Sequence, residues 1–363
     1  MTRTKATISD VAKHAKVSVG TVSHVLTGIV PVSSKRQERV LKAIEALHYV
    51  PNFHARGLRR AQTNVVGICI PHVSTAYLNT VSEALEDVAA ADGYSIMHVF
   101  SRHDPAAELR RVRDLLNYRV DGMVLLPSTS PEKTLDLAYQ NGLPMVLIDR
   151  PTGDRRFDQV ILDNRKTTRD AARRLIELGH RRLMFICRSR GRLSTRHRIE
   201  GLNAARRQAR VAVSIAIVEY NDDEAALAHT LEGALRAADA PTAVIVSNSH
   251  QASLMLGTLR RLDIACPQRV SVLGFDDPDW SEIVTPRLSV IRQPALAIAD
   301  QAWTLLMRRI RHPHAAIRQV ALEAQIDFRE SIARVGGAAN DAKTVGENSL
   351  PRTRGVPHRA RFD

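Results

Sequence analysis

The sequence predicts an α/β protein with three parts: a three-helix helix-turn-helix headpiece, a short hinge helix, and a two-lobed core of doubly wound parallel sheets. Three observations predict this architecture. Two short amphipathic helical segments joined by a polar turn occupy residues 8–27, apolar strand-like runs alternate with helical patterns from about residue 63, and these runs form two successive sets. Strand–helix alternation is typical of parallel sheets with right-handed crossovers, and two such sets predict two lobes separated by a cleft.

The helix-turn-helix is encoded by ISDVAKHAKVSVGTVSHVLT, residues 8–27. Ser9 is placed to cap the first helix, and Ser18 is placed to cap a second helix that carries Val22 and Val25 at helical spacing. Two helices joined by a turn of three or four residues present the second helix to the major groove of DNA. The alternative interpretation is a small helical bundle with no role in DNA binding.

A third helix and a short basic helix complete the N-terminal region. Ser34 and Gln37 form a candidate capping box for the third helix. After this helix, Pro51 is a break and Asn52 is a candidate cap for a basic helix within HYVPNFHARGLRR, residues 48–60. The buried face expected for the third helix comprises Val40, Leu41, Ile44 and Leu47.

Positive charge is concentrated near the N-terminus. Residues 1–62 hold 11 Lys and Arg against 3 Asp and Glu, in a chain of 363 residues whose net charge is +14. Segregated positive charge predicts contact with phosphates and binding that weakens steeply as salt is added.

The other compositional features predict a cytoplasmic protein without a cofactor or metal. The sequence shows no apolar stretch of signal-peptide type and no run long enough to span a bilayer, so we expect no membrane partner. Cys69, Cys187 and Cys266 are far apart and lack metal-ligand spacing, and are expected to be reduced thiols. The sequence carries no serine-hydrolase, P-loop, zinc-peptidase or dinucleotide motif, which argues against an enzyme.

The core is predicted from eight apolar runs that have the length and composition of buried parallel strands. Helical patterns separate them, for example at residues 78–91 and 106–116. Ligands of open α/β sheets bind beyond the carboxyl ends of the strands, so the cleft is the expected ligand site. The runs are 65–71, 94–100, 122–127 and 144–149 in the first set, and 182–187, 214–220, 242–248 and 270–276 in the second.

The stretches TISDVAKHAKVSVGTVSHVL and YVPNFHARGLRR resemble the lactose-repressor (LacI) family of bacterial transcription factors. The resemblance covers roughly residues 7–331 and ends with DFRES, which is similar to the last strand of the family. It implies a headpiece at 1–50, a hinge helix at 51–62, and a core at 63–331 that looks like a periplasmic sugar-binding protein.

The resemblance also implies how the chain divides between the two lobes. Crossings are expected near Asp163, Gln293 and Gln319. The expected N-lobe is therefore about 63–162 and 293–319, and the expected C-lobe is about 163–292 and 320–331. The remaining segment, 332–363, has no apolar periodicity and is expected to be disordered. It lacks the leucine heptads of tetrameric relatives, which favours a homodimer.

DNA contacts in the headpiece follow from the same resemblance. Val19, Gly20 and His24 occupy base-reading positions, where Val19 offers an apolar contact and His24 can donate to guanine. The hydroxyl groups suited to phosphate contacts are those of Ser18, Thr21 and Ser23.

In the hinge helix, Ala55 and Leu58 resemble the family's minor-groove wedge, and Asn52 is placed to cap this helix. The alternative for Leu58 is contact with the protein core.

Candidate effector contacts lie near the ends of the strands. Arg198 matches the effector-contacting arginine of the family, and Tyr77 lies in a loop that lines the family's effector site. Asp163 and Asn248 could instead cap helices. The arginine-rich run at 187–198 could be a solvated loop or could select a phosphorylated or carboxylated effector. The full set is Tyr77, Asp163, Arg192, Ser194, Arg198, Asn248 and Asp276.

Together these features predict a nucleoid-associated transcriptional regulator of the repressor type. It would bind double-stranded, palindromic operator DNA as a homodimer, and a small-molecule effector (a sugar, sugar acid or phosphorylated sugar) would control its affinity. The rival classes are an exported transport-type binding protein, an enzyme and a nucleoid protein without sequence preference.

Overall fold

A computed structural model describes residues 6–27, 30–49, 62–72, 75–220 and 223–336. The chain divides into two compact units, Met1–Thr63 and Asn64–Asp363. The predictions for the hinge residues Asn52, Ala55 and Leu58 lie outside the described residues. None of the described helices is both long and apolar enough to cross a membrane.

Three helices form the described part of the N-terminal unit: α1 (Ile8–Ala15), α2 (Val19–Thr27) and α3 (Ser34–Ala46). The prediction that Leu41 is buried was wrong, because its side chain is 51% exposed. Ala43 is buried in its place. Residues three apart on a helix share a face, so Ala43 lies on the same face as Val40, whereas Leu41 follows Val40 directly and points about 100° away. The small core comprises Val11, Ala12, Ala15, Val22, Val40 and Ala43.

The helix caps differ from two of the three predictions. Thr7, and not Ser9, caps α1: the Thr7 hydroxyl accepts from the Asp10 amide at 3.3 Å, and the Asp10 carboxylate accepts from the Thr7 amide at 2.8 Å. Ser18 caps α2 as predicted, accepting from the Thr21 amide at 3.1 Å. Ser34 is the first residue of α3, whose N-cap Ser33 makes no side-chain cap bond, so the predicted capping box does not form.

Twelve strands form two six-stranded sheets within the described part of the core, and all eight predicted strands are present. Every pairing is parallel except the one between β10 and β12. The strands are β1 (Val65–Ile70), β2 (Ser95–Phe100), β3 (Gly122–Leu125), β4 (Met145–Asp149), β5 (Asp158–Leu162), β6 (Arg182–Cys187), β7 (Ser214–Glu219), β8 (Ala243–Val246), β9 (Ser271–Phe275), β10 (Ser289–Arg292), β11 (Gln319–Leu322) and β12 (Gln325–Asp327).

Helices cover these sheets, and apolar clusters form within each lobe. They are α4 (Ala76–Ala91), α5 (Pro105–Asn117), α6 (Glu132–Gln140), α7 (Asn164–Glu177), α8 (Leu193–Gln208), α9 (Glu224–Arg236), α10 (Ser249–Arg261), α11 (Trp280–Ile283) and α12 (Ala295–Arg311).

The two sheets have the same strand order. The first runs β11-β5-β4-β3-β1-β2 and the second β12-β10-β9-β8-β6-β7. The chain passes between the sheets after β5, after β10 and between β11 and β12. The third crossing therefore lies beyond Leu322 and not near Gln319, because all of β11 pairs with β5. The predicted last strand in DFRES was also misplaced, since β12 ends at Asp327, where that run begins.

The first residues of the predicted disordered tail are ordered. Ile332 is buried in an apolar cluster of the second lobe, the Ala333 amide donates to Ser271 Oγ at 3.1 Å, and the Val335 amide donates to the Leu178 carbonyl at 2.9 Å. These contacts extend the fold to residue 336. The rest of the predicted tail, 337–363, lies outside the described residues.

Candidate functional site

A cavity of about 610 Å³ opens between the two lobes, at the carboxyl ends of the parallel strands. Six of the seven predicted effector residues line it: Tyr77, Arg192, Ser194, Arg198, Asn248 and Asp276. Asp163 is outside this lining and instead caps α7, with Oδ1 accepting from the Lys166 amide at 2.9 Å. Asn248 lines the cavity and also caps a helix, because its side chain accepts from the Gln251 amide at the start of α10 at 2.8 Å.

Two carboxylates enter the cavity from equivalent positions of the two lobes. Asp149 ends β4 and Asp276 follows β9, and both have left-handed backbone conformations, with φ of 64° and 67°. A non-glycine residue is uncommon there, although aspartate is among the more tolerant types. Asp149 accepts from the Tyr77 hydroxyl at 3.3 Å, and Asp276 accepts from Gln293 Nε2 at 2.7 Å.

Arg198 lies beside both carboxylates and is buried. Its Nε donates to Asn164 Oδ1 at 2.6 Å, its Nη1 donates to the Ser247 carbonyl at 2.9 Å, and its guanidinium carbon lies 3.6 Å from the centre of the Phe275 ring. These contacts fix the guanidinium before any ligand arrives.

Gly201 allows the helix that carries Arg198 to approach its neighbour. A Cβ at this position would overlap the Thr168 hydroxyl and the Arg165 carbonyl of α7. The close approach lets Thr168 Oγ1 donate to the Arg198 carbonyl at 2.8 Å. The helix contact therefore positions the first turns of α8 at the cavity.

Burial changes the proton affinity of the groups around Arg198. It raises the pKa of Asp276 to about 6, against the opposing effects of the Gln293 hydrogen bond and the Arg198 charge. Burial also raises the pKa of the Tyr77 phenol well above its usual value, and the neighbouring Asp149 adds to this shift. The Tyr77 phenol therefore stays protonated and can donate.

An arginine cluster forms a second part of the lining: Arg150 from the first lobe and Arg188 and Arg192 from the second. Arg150 donates from Nη1 to the Pro127 carbonyl at 2.8 Å, and its Nη2 lies 3.3 Å from His103 Nδ1. Because a guanidinium can only donate, His103 Nδ1 accepts. The other nitrogen of His103 then carries the proton, which it donates to His72 Nε2 at 3.3 Å.

Burial and the neighbouring arginines keep this histidine pair neutral. Burial, followed by the charges of Arg150, Arg188 and Arg192, lowers the pKa of His103 to about 2. The pKa of His72 is lowered by burial and by the charges of Arg188 and Arg150. The pair therefore positions Arg150 without changing the charge of the cavity.

Sequence reasoning missed several residues of this lining, among them Asp149, Arg150 and Arg188. A signal for Asp149 was present, because it ends the predicted strand run PMVLID as Asp276 ends VSVLGFD. Gln293 was identified as a crossing point and not as the partner of Asp276. His72 and His103 carried no sequence signal, since their pairing joins residues 31 positions apart.

The predicted DNA-contacting residues of the headpiece lie on α2 and at its start. Ser18, Val19, Gly20 and His24 are exposed, whereas Thr21 and Ser23 are half-buried. Val22, on the opposite face, is fully buried in the small core. The hydroxyl groups of Ser18 and Thr21 are 3.0 Å apart and hydrogen-bonded to each other.

Comparison with known proteins divides the chain into the same two parts, a DNA-binding region and a core. Residues 7–52 match the family model of bacterial regulatory proteins, lacI family, and residues 172–332 match a periplasmic binding protein-like domain. The HTH-type transcriptional repressor PurR of Haemophilus influenzae is 29% identical over 351 residues, covering 90% of this chain and 98% of that protein. The ribose operon repressor of the same species is 26% identical, covering 90% and 98%.

Solved structures show the same fold. A crystal structure of the Lac repressor dimer bound to operator and the anti-inducer ONPF has a TM-score of 0.80 at 22% identity, covering 91% of this chain and 100% of that one. A helix-turn-helix unit followed by a two-lobed α/β core defines a class of transcriptional regulators. The chain therefore resembles the transcriptional regulators of the lacI family in both its DNA-binding domain and its core, and the two relatives described above are named as repressors.

Proposed function

We propose that this chain is a repressor that binds a near-palindromic operator as a homodimer and whose operator affinity is controlled by a small polyhydroxylated metabolite in the interlobe cavity. The proposed domains are the headpiece at 1–50, the hinge helix at 51–62 and the effector-binding core at 63–331. The wedge formed by Ala55 and Leu58 remains part of this proposal as a prediction.

The exposed face of α2 is the observation that carries the DNA-binding part. Val19, Gly20 and His24 are open to solvent, while Val22 anchors the other face of the helix. An exposed recognition helix can enter the major groove while its buried face stays in the core. The names of the relatives support the repressor assignment, since two of them are called repressors and the Lac repressor structure is a dimer on its operator.

The cavity supports the effector part. A ligand bonded to both Asp149 and Asp276 would contact both lobes at once, and would favour the lobe arrangement in which both contacts form. A shift in lobe arrangement gives coupling between the cavity and DNA only if the two arrangements differ in operator affinity. The proposal therefore predicts a ligand-dependent operator affinity.

Selection of bound sites from random duplexes by the purified full chain at physiological salt tests this function. We expect enrichment of one near-palindromic sequence, because two headpieces related by a two-fold axis read two half-sites. The selection is repeated with pooled metabolites, so that a requirement for a co-repressor also gives enrichment. Equal recovery of all sequences under both conditions would reject the proposal in favour of binding without sequence preference.

A further inference from the structure

We propose that the second lobe carries a surface that binds the phosphate backbone of duplex DNA without reading its sequence. Five exposed arginines form this surface, which we call the arginine edge: Arg181, Arg206, Arg207, Arg210 and Arg334. The inference goes beyond the proposed function, because it depends neither on the sequence preference of the headpiece nor on an effector.

The positive charge of the core is concentrated in one segment. Residues 164–210, which include α7, β6 and α8, hold 15 Lys and Arg against 3 Asp and Glu. The whole core from residue 63 to residue 331 holds 35 Lys and Arg against 32 Asp and Glu, so the rest of the core is net negative. All residues of the basic segment are described. Charge segregated in this way indicates a surface suited to a polyanion.

The three carboxylates of this segment are engaged by cations of α7. Arg181 of the edge instead donates from Nη1 to the Ile176 carbonyl at 2.7 Å, which holds its guanidinium in place without a carboxylate. None of the five edge arginines forms an ion pair with another described residue. The pairs of the carboxylates are Asp170 with Arg169 at 3.1 Å, Glu177 with Arg174 at 3.5 Å, and Glu200 with Arg165.

Backbone contacts bring the arginines of the edge together near the amino ends of β6 and β7. The Ser214 amide donates to the Arg181 carbonyl at 2.9 Å, so the loop that follows α8 lies beside the turn before β6. At the same turn, the Val335 amide donates to the Leu178 carbonyl at 2.9 Å. Arg334 directly precedes Val335 and therefore lies at this turn as well. Three separate segments thus contribute arginines to one edge of the lobe.

The end of α8 accounts for only part of this edge. Arg206 and Arg207 lie in the last turn of the helix, where the negative end of the helix dipole stabilises cations. Arg210 lies beyond the helix, and the dipole explains neither it nor the arginines of the other two segments. Two carboxylates lie in neighbouring turns, Glu177 at the end of α7 and Asp239 before β8. Five arginines outnumber them, so the edge keeps an excess of positive charge.

The segment that follows the described residues brings no net negative charge to this edge. The last described residue, Gly336, comes directly after the contact that Val335 makes with Leu178. Residues 337–363 hold 5 Lys and Arg against 3 Asp and Glu. This segment therefore adds to the positive charge of the chain and does not balance the arginine edge.

The residue types of the edge favour nucleic acid over an acidic protein. Of the 15 cations in residues 164–210, 14 are arginine, whose planar guanidinium binds phosphate oxygens through two parallel hydrogen bonds. The edge segments 178–182, 206–213 and 333–336 contain no Phe, Tyr or Trp, the side chains that commonly anchor protein partners. DNA is also the polyanion that the headpiece of the same chain is proposed to bind.

Binding of the full chain to a mixed-sequence duplex, measured as a function of salt concentration, tests the inference. The variant R206Q/R207Q/R210Q removes three of the five arginines. We expect weaker binding to every duplex, and a plot of log affinity against log salt whose slope is smaller in magnitude by about 1–3, since each lost phosphate contact removes about 0.9. The sequence preference found by operator selection should not change, because phosphate contacts carry no sequence information.

Two further variants control for net charge and for residue type. R110Q/R111Q/R113Q removes three exposed arginines of α5 in the first lobe and so changes the net charge by the same amount. Its slope should stay close to that of the wild type. R206K/R207K/R210K keeps the charge and should retain most of the slope, although lysine binds phosphate as a point charge. Equal slopes in the two glutamine variants would overturn the proposal and point to a partner other than DNA.

The proposal and the proposed function fail separately. An unchanged slope in R206Q/R207Q/R210Q, together with enrichment of an operator by the wild type, would reject the arginine edge and leave the regulator intact. Failure of the wild-type chain to enrich any sequence would reject the proposed function, whereas the slopes on the mixed-sequence duplex would still decide whether the edge binds DNA.

Discussion

Asp149 and Asp276 occupy the same position in two sheets of identical strand order, each at the carboxyl end of the third strand and each in a left-handed backbone conformation. The repetition of the lobe therefore gives two carboxylates in one cavity, one from each lobe. Their negative charges affect each other, since Asp149 contributes to raising the pKa of Asp276. Arg198 lies beside both and opposes this effect. A single ligand can thus bond to both lobes through like groups.

The raised pKa of Asp276 predicts a pH-dependent stability of the ligand-free core. Its pKa of about 6 in the folded protein lies above the ordinary aspartate value of 3.8, so stability is highest when the group is protonated and falls as pH rises from about 4 through 6. The facing charges are those of Arg198, which lowers the pKa, and Asp149, which raises it. A shift of this size corresponds to about 3 kcal/mol in the free energy of unfolding.

Urea unfolding of D276N and the wild type at pH 4 and pH 7.5 checks this prediction. The stability of D276N minus that of the wild type should be larger at pH 7.5 than at pH 4, because asparagine carries no charge to bury whereas Asp276 is charged at the higher pH. A difference between the two proteins that does not change with pH would contradict the raised pKa.

Gly201 is predicted to be intolerant of even one added methyl group. In G201A the new Cβ would overlap Thr168 and Arg165 of α7, and forced overpacking costs about 1–3 kcal/mol or more. G233A is the matched control, since Gly233 lies within α9 and a Cβ there would meet open space beyond the backbone of its own helix. We expect this control to gain about 0.5–1 kcal/mol. Thermal unfolding of both variants measures the effects, and equal behaviour would disprove the close helix contact.

The cap of α1 predicts a different effect for two neighbouring substitutions. T7A removes the hydroxyl that accepts from the Asp10 amide and should destabilise the headpiece by about 1 kcal/mol. S9A changes a residue inside the helix and should have little effect, because alanine is a good helix former. The helical circular dichroism signal that the headpiece loses on unfolding would distinguish the two variants. Greater destabilisation by S9A would restore the cap that the sequence first predicted.

His24 is expected to read one base pair in each half-site. H24A should weaken binding to the preferred operator and lose about 1–3 kcal/mol of discrimination at that pair, while a phosphate contact affects all sequences alike. S23A supplies that comparison. Binding measured on operators changed at each position should show a flattened preference at one pair in H24A only. A uniform loss at every position would reassign His24 to the backbone.

The sequence allowed prediction of those parts of the fold that depend on local pattern. All eight long apolar runs became strands. Six of them are buried almost throughout, as expected of strands covered on both faces, while the edge strands β2 and β7 are only partly buried. The missed strands, β5, β10 and β11, are short, and β11 is partly exposed. The last strand, β12, was expected slightly later in the chain and is also partly exposed. The strands β11 and β12 pair with β5 and β10 only after the chain has crossed between the lobes, and no local stretch of sequence contains this information.

Those site residues that directly follow the ends of strands were predictable from the sequence. The carboxyl-end rule located Asp276 and Asn248, and it locates Asp149 equally well once β4 is recognised as the equivalent strand. Asp163 also follows a strand, but its side chain caps α7 and does not line the cavity. Contacts such as those of Arg150 with His103 depend on side-chain geometry between distant segments, and sequence pattern carries no record of them.

Operator affinity with and without the tightest-binding ligand tests the account most directly, measured on the wild type and on R198M. In the wild type, the ligand should change operator affinity by about 5- to 150-fold, the range of typical coupling free energies. In R198M this ratio should approach one, because the buried guanidinium that lies beside both carboxylates in the cavity is gone. An operator affinity that is the same with and without bound ligand in the wild type would contradict control of DNA binding from the cavity.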